Sequence, residues 1–296
     1  MATFQTYQAI GIREDLTDVI TNISPVDNWF QSNTGNGKAT ATYHEWQTDA
    51  LAAAAANKHV EGAAFSDGTV TPTVRIGNYT QILKKEFKIS KTQDAVNTAG
   101  RKREMAYQTE KHAKELSNDL EYAFLINSAA AAGDASTARQ MKGVAGFITT
   151  NSTDASAATL DEDTLLDELQ NVWAAGGKPT NVVCGAFQKR TMSAFTTNTR
   201  YTMAEEEKLT QSVDVYQSDF GNVMIRLHHI VNTAVPDDLY IFGDMGLFTK
   251  AFLRPINRKP EPFAGDADLY SMVAEVTLEC KQEKGHGMIT NLATSA

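Results

Sequence analysis

Cysteine is nearly absent from this chain: two of its 296 residues, Cys184 and Cys280. Two cysteines so far apart exclude a disulfide framework and a zinc knuckle. Both lie in apolar, strand-like contexts, as buried free thiols of a reducing compartment do. The opening "MATFQTYQAIGIRED" has no basic segment followed by an apolar one, so no secretory signal is read there. The sequons at Asn22, Asn78 and Asn151 then carry no glycan. No apolar run reaches the roughly eighteen residues of a membrane span. Positive charge is in deficit, with 27 Lys and Arg against 36 Asp and Glu and a net charge of −9. That balance argues against tight binding of duplex DNA, which needs cations to neutralise phosphates. A wall that lies beside nucleic acid without gripping it has the same balance. What is present, 42% hydrophobic and 21% charged residues, is the composition of an ordinary globular chain with a core.

Proline and glycine are also missing where it matters. After Gly100 the run "RKREMAYQTEKHAKELSNDLEYAFLINSAAAA" contains neither. It predicts one helix from about Thr98 to Ala131, closed by Gly133 and roughly 50 Å long at 1.5 Å per residue. Met105, Ala113, Leu116, Leu120, Ala123 and Phe124 form one narrow apolar stripe; Glu110 and Lys114 stand at the favourable i,i+4 spacing. The stripe docks one side on a core and is no sustained heptad.

Before that helix, hydrophobic matter is thin. Residues 1–37 read as an arm: Ile12, Leu16, Val19, Ile20 and Ile23 are spaced as on a short helix stopped by Pro25, and "QSNTGNGKA" reads as loop. Residues 38–90 read as a long two-stranded excursion, with an alternating first strand, an alanine-rich stretch, and Thr-, Val- and Ile-rich residues up to Ser90. Pro72 and Gly77 suit an edge or hairpin. Such a hairpin is marginal alone, so a partner surface is implied. Trp29, Phe30 and Trp46 lie in these segments and are either clamped under the arm or used between chains. Residues 146–237 read as mixed α/β. A helix there is capped by Thr159 and Glu162, with Leu165, Leu166, Leu169, Val172 and Trp173 on its apolar face. "TNVVCGA" is a buried strand, "FQKRTMSAFTT" a second helix and "RYTMAEEEKLTQ" a mobile loop, followed by two strands around Gly221-Asn222. Near the C-terminus, Met272, Ala274, Val276, Leu278 and Cys280 alternate with polar residues, as in a half-buried antiparallel strand.

The chemical motifs fail one by one. "GNGKAT" lacks the first glycine and the hydroxyl of a phosphate loop and reads as a flexible turn. His44-Glu45 has Thr48 where a zincin has histidine. His228 and His229 fall on opposite faces of a strand and share no metal. "GHGMIT" lacks a third glycine, and no nucleophile elbow is present. Acids at 161–163 and 205–207 read as a helix start and a solvated loop. No catalytic, cofactor or metal residue is assigned. Arg101 to Arg103, near a helix N-terminus that disfavours them, grip phosphate, meet a neighbouring subunit's carboxylates, or are a solvated end.

The order of parts resembles the major capsid protein of tailed bacteriophages, the Hong Kong 97 fold. The segments "IREDLTDVITNISPVDNWF", "YHEWQTDALAAAAANKHVEG" and "RKREMAYQTEKHAKELSNDLEYAFL" carry the likeness, which covers nearly the whole chain. Where a Thr-Pro pair is expected after the arm's aspartate, this chain has Asn28-Trp29. The resemblance implies an α+β fold with an N-terminal arm (1–37), an extended β-hairpin loop (38–90) and a peripheral domain with the spine helix (91–145 and 240–284). An axial domain (146–239 and 285–296) completes it. It implies a non-enzymatic subunit that assembles with itself into pentamers and hexamers of an icosahedral head around double-stranded DNA, contacted non-specifically. No cofactor and no membrane enter. A portal and a decoration protein are further partners implied, and since no long scaffolding segment is read here, the resemblance implies a separate scaffolding protein or prior removal of that segment. Trp29, Phe30, Trp46, Arg101 and Arg103 become candidate inter-subunit contacts. Lys38, Lys58, Lys84 and Lys85 lie in or beside the loop, but no covalent cross-link is assigned to them. A protein-cargo nanocompartment of the same fold, or an oligomeric enzyme with a site in 146–237, are the alternatives.

Overall fold

The computed structural model describes residues 28–65, 68, 70–96, 104–195, 214–263 and 265–295. In chain order these form α1 (Trp29–Asn33), β1 (Gly35–Lys38), β2 (Tyr43–Thr48), β3 (Val74–Tyr79), β4 (Gln81–Ser90), α2 (Lys91–Ala95), α3 (Glu104–Ile126) and α4 (Val144–Phe147). Then follow β5 (Ser152–Asp154), α5 (Glu162–Ala174), β6 (Asn181–Cys184), α6 (Ala186–Ser193), β7 (Val215–Ser218), β8 (Gly221–Leu227) and α7 (His229–Ala234). The last strands are β9 (Leu239–Phe242), β10 (Phe248–Glu261), β11 (Ala267–Cys280) and β12 (Gly287–Thr290). One sheet has the order β1-β10-β11-β4, another β5-β12-β9-β6-β8-β7, and β2 pairs only with β3.

The four-stranded sheet is built on the antiparallel ribbon of β10 and β11, which runs from Phe248↔Cys280 to Glu261↔Leu269. The register slips on either side of Arg254, where Pro255 follows; proline has no N–H for the ladder and settles at such irregularities. Two stretches read differently from sequence join this sheet. "GNGK" is no flexible turn but a strand parallel to β10, and a Cβ at Gly37 would meet Thr249 Cγ2 at 2.9 Å. Gln81–Ser90, the last stretch of the expected loop, is β4 of this sheet. It pairs with β11 along its length, because Leu83, Phe87 and Ile89 present an alternating apolar face that the core takes up. β11 itself is not half-buried. Met272, Ala274, Val276, Leu278 and Cys280 join the core with Leu116, Leu120 and Phe124 of α3, but Ser271, Glu275 and Thr277 opposite are buried too.

α3 has 23 described residues, about 35 Å of helix. Its stripe lies as the spacing dictates, with Leu116, Leu120, Ala123 and Phe124 buried and Met105 and Ala113 packed at the margin. Its end does not: the helix stops at Ile126, not at Ala131. The Asn127 amide leaves the helical path to bond Met141 O at 3.1 Å and Gln81 Oε1 at 2.9 Å. Ala131 then bridges Gln140, and Gly133, at φ +71°, turns that loop instead of closing the helix. Glu121 is the other departure: it sits among the charged residues in sequence, yet it is fully buried.

The six-stranded sheet is sandwiched. Leu165, Leu169 and Val172 of α5 pack with Val182, Val223, Ile225, Ile241 and Ile289 in one cluster; Val183, Tyr240 and Phe242 join α3 in the other. β9 lies between β12 and β6, so "DLYIFG" belongs to this sheet and not to the peripheral one. The cap of α5 is Asp161, whose carboxylate accepts Thr164 N at 2.8 Å; the Thr159–Glu162 box does not form. Trp173 is off the buried face, 57% exposed beside Phe220. The β7–β8 turn is Asp219-Phe220, with Ser218 paired to Gly221 at φ +125°. β8 ends at Leu227, so His228 and His229 are not on a strand: His228 caps α7. Cys184 and Cys280 are buried and free, and burial pushes both thiols up to about 12. The stretch "RYTMAEEEKLTQ" lies outside the described residues.

His286 marks where the two sheets meet. It is fully buried, 4.4 Å from the Phe248 ring, and its Nδ1 accepts Gly243 N at 3.3 Å. Burial lowers its pKa to about 4, against the opposing pull of Asp244 and Glu283. Above the ordinary 6.5 the ring is neutral both folded and unfolded. Between 6.5 and about 4 the unfolded chain takes a proton that the folded one refuses, so stability falls as pH falls through that window. Asp238, raised to about 6 chiefly by burial, acts in the opposite sense. Urea titrations from pH 7 to 4.5 should therefore show a pH slope smaller by about one proton in His286→Gln than in the wild type.

Candidate inter-subunit surface

β2 and β3 pair antiparallel from Tyr43↔Tyr79 to Thr48↔Val74, a ribbon about 20 Å long. Its root is bolted across the polar side of β11. Asn78, fully buried, donates to Leu278 O at 2.8 Å and Lys142 O at 2.9 Å and accepts Lys142 N at 2.8 Å. Thr80 Oγ1 donates to Glu275 at 2.9 Å; Arg139 binds the same carboxylate, and Arg254 reaches its other oxygen at 2.7 Å. Trp46 Nε1 donates to Cys280 O at 3.0 Å. Gly77 is required here, because a Cβ would lie 2.6 Å from the Tyr43 ring. These bonds explain why both faces of β11 are buried.

Every described residue from Asp49 to Thr73 is exposed and outside regular structure. The large apolar side chains are almost wholly solvated: Leu51 at 99%, Val60 at 82%, Phe65 at 106% and Val70 at 90%. Four such side chains on one projecting segment form a surface that calls for a partner.

The residues singled out from sequence fall elsewhere. Phe30 is fully buried in this chain's own core, with its ring 5.2 Å from Phe248 and 5.6 Å from Phe242. Trp29 packs 5.7 Å from Phe242 with the Arg226 guanidinium 5.3 Å from its ring, and Trp46 packs against Phe147 at 6.0 Å. Of the two roles the sequence leaves open for Phe30, its burial favours the clamp within its own subunit. Trp29 and Trp46 are likewise seated on their own subunit. Residues 28–38 use apolar matter supplied by α3, β9 and β10, which a scan of the local segment could not see. Arg101 and Arg103 lie outside the described residues. Sequence reasoning did not single out Leu51, Val60, Phe65 and Val70; the available signal was large apolar residues scattered without period among alanine, glycine and threonine. Nor did it find Glu121, whose carboxylate accepts Phe30 N at 2.6 Å, Gln31 N at 3.0 Å and His228 Nε2 at 3.1 Å.

No metal cluster of three or more His, Cys, Asp or Glu exists among the described residues, and no described helix is long and apolar enough to cross a membrane. Asp161 is occupied as a helix cap, and Glu162 accepts Tyr216 Oη at 2.7 Å.

Two lobes, a spine helix and a free hairpin define the fold of phage capsid subunits, the Hong Kong 97 type. The capsid of a native GTA particle superimposes with a TM-score of 0.67 at 15% identity, covering 97% of this chain and 98% of that one. The capsid of Myoviridae phage XM1 gives 0.63 at 13%, covering 94% and 97%. At such identities the likeness speaks for the fold alone. The sequence matches the SU10 major capsid protein family over residues 1–293, and the chain belongs to that family, whose members are structural and not enzymes. It is also 41% identical over 127 residues to the major capsid protein of Escherichia phage Phieco32, a stretch covering 43% of this chain and 36% of that one. The enzyme alternative is thereby set aside.

Asn78→Ala leaves Leu278 O, Lys142 O and Lys142 N without their partner. It should lower the unfolding free energy of the isolated subunit by roughly 2–4 kcal/mol in urea titration.

Proposed function

We propose that this chain is the shell-building subunit of a phage head, and that its extended loop is the part that lies on a neighbouring copy. The observation that carries the reading is the contrast along one hairpin: a root fastened by buried hydrogen bonds and a tip, Asp49 to Thr73, whose described residues are all exposed. A segment that exposes Leu51, Val60, Phe65 and Val70 gains by burial on another surface, at about 2 kcal/mol for each side chain. The loop of one copy and the body of the next are different surfaces, so the contact is heterologous and must close into a ring or grow without limit. Pentamers and hexamers are the closed rings of this reading, joined into an icosahedral shell. The net charge of −9 suits a wall that encloses double-stranded DNA without holding it. A portal, a separate scaffolding protein and a decoration protein are the other partners such a shell takes.

The test is to replace Leu51, Val60 and Phe65 together by serine. No core side chain is touched, so circular dichroism and urea unfolding of the isolated subunit should match the wild type. The lost burial is about 6 kcal/mol per loop, enough to keep the protein from forming megadalton particles in light scattering and electron micrographs. Particles of normal yield and size from this variant would refute the reading.

A further inference from the structure

α1 is only five residues long, too short to persist as an isolated helix. Its N-cap residue, Asn28, makes no side-chain cap bond. The cap comes instead from a residue about ninety positions away. Glu121 of α3 places Oε1 on Phe30 N and Oε2 on Gln31 N, two first-turn N–H groups that otherwise lack partners. A carboxylate is also the charge that a helix N-terminus favours.

The same carboxylate faces the other lobe. His228 Nδ1 accepts Val231 N at 3.4 Å, which leaves its Nε2 as the N–H donor toward Glu121 Oε1. β10 closes the group: Lys250 Nζ donates to Gln31 O, and its ammonium lies within the field of Glu121. Gln31 Nε2 adds a bond to Ser117 O, one turn earlier on α3, at 2.7 Å. Glu121 and His228 are both buried. One carboxylate thus ties the start of the described chain to the spine helix and to α7, and Lys250 of β10, an inner strand of the four-stranded sheet, holds the same turn through Gln31 O.

We propose that Glu121 is a positioning residue for assembly: by capping α1 it fixes the point and direction at which residues 1–27 join the body, and so where that arm reaches on a neighbouring copy. The inference rests on reading residues 1–27 as an inter-subunit arm. Glu121→Gln keeps the shape of the side chain but offers one acceptor oxygen to donors that now bond two, and turns an N–H₂ toward the rest. The full-length variant should keep the far-ultraviolet circular dichroism of the wild type. Its Phe30 and Gln31 amides should exchange about tenfold faster or more, as the loss of a charged hydrogen bond implies. At a temperature where both proteins are folded, its yield of closed particles should fall by a similar factor.

The comparison is a wild-type chain lacking residues 1–27. It should lose assembly to the same extent while Phe30 and Gln31 stay protected. Normal particle yield from Glu121→Gln, or unchanged protection of the two amides, overturns the role of Glu121. Normal assembly of the truncated chain overturns the arm reading and the inference with it. Should Glu121→Gln fail to fold, Glu121→Asp keeps the charge but withdraws the carboxylate by one methylene from the Phe30 and Gln31 N–H groups. It must then show the same loss of particles, and normal yield from it refutes the proposal.

Discussion

The subunit depends on having both faces of one strand covered at once. β11 gives its apolar side to the spine helix and its polar side to the root of the hairpin. A strand whose second face carries Ser271, Glu275 and Thr277 would ordinarily leave that face in water. Here Asn78, Thr80, Arg139 and Arg254 meet the buried carboxylate and the carbonyls, so the polar face becomes a seat. Were those partners absent, burying Glu275 would cost far more than the hairpin returns.

Buried polar groups do the same service elsewhere in the molecule. Glu121 and His228 join parts that hydrophobic contact alone would leave free to slide, since apolar packing is nearly indifferent to small rotations. Hydrogen bonds to named backbone atoms are not indifferent: they fix angles. An assembling protein needs that, because the surfaces it offers to neighbours must hold a set direction before any neighbour arrives. Preformed direction lowers the ordering cost of association.

Much of the fold was legible because it follows periodicity. The α3 stripe, the α5 face through Leu165, Leu169 and Val172, and the buried strand around Val182 were all visible in spacing. So was the scarcity of apolar residues in the loop. The misreadings have one physical source: a partner distant in sequence. "GNGK" resembles a turn until β10 offers its edge; Glu121 resembles a surface charge until α1 offers its N–H groups; Glu275 resembles a solvent-facing charge until Thr80, Arg139 and Arg254 arrive. The segment around Phe30 leaves its partner undecided because it has no core of its own; Phe248 and Phe242 supply one from more than two hundred residues away. The end of α3 failed for a local reason. Alanines after Ile126 have high helix propensity but nothing to bury, and the side-chain bonds of Asn127 decide instead.

Because the described residues from Asp49 to Thr73 are all exposed and add nothing to the core, substitutions among them leave the folding of a single copy almost untouched. A screen that scores only well-folded monomers is blind to whatever those side chains do.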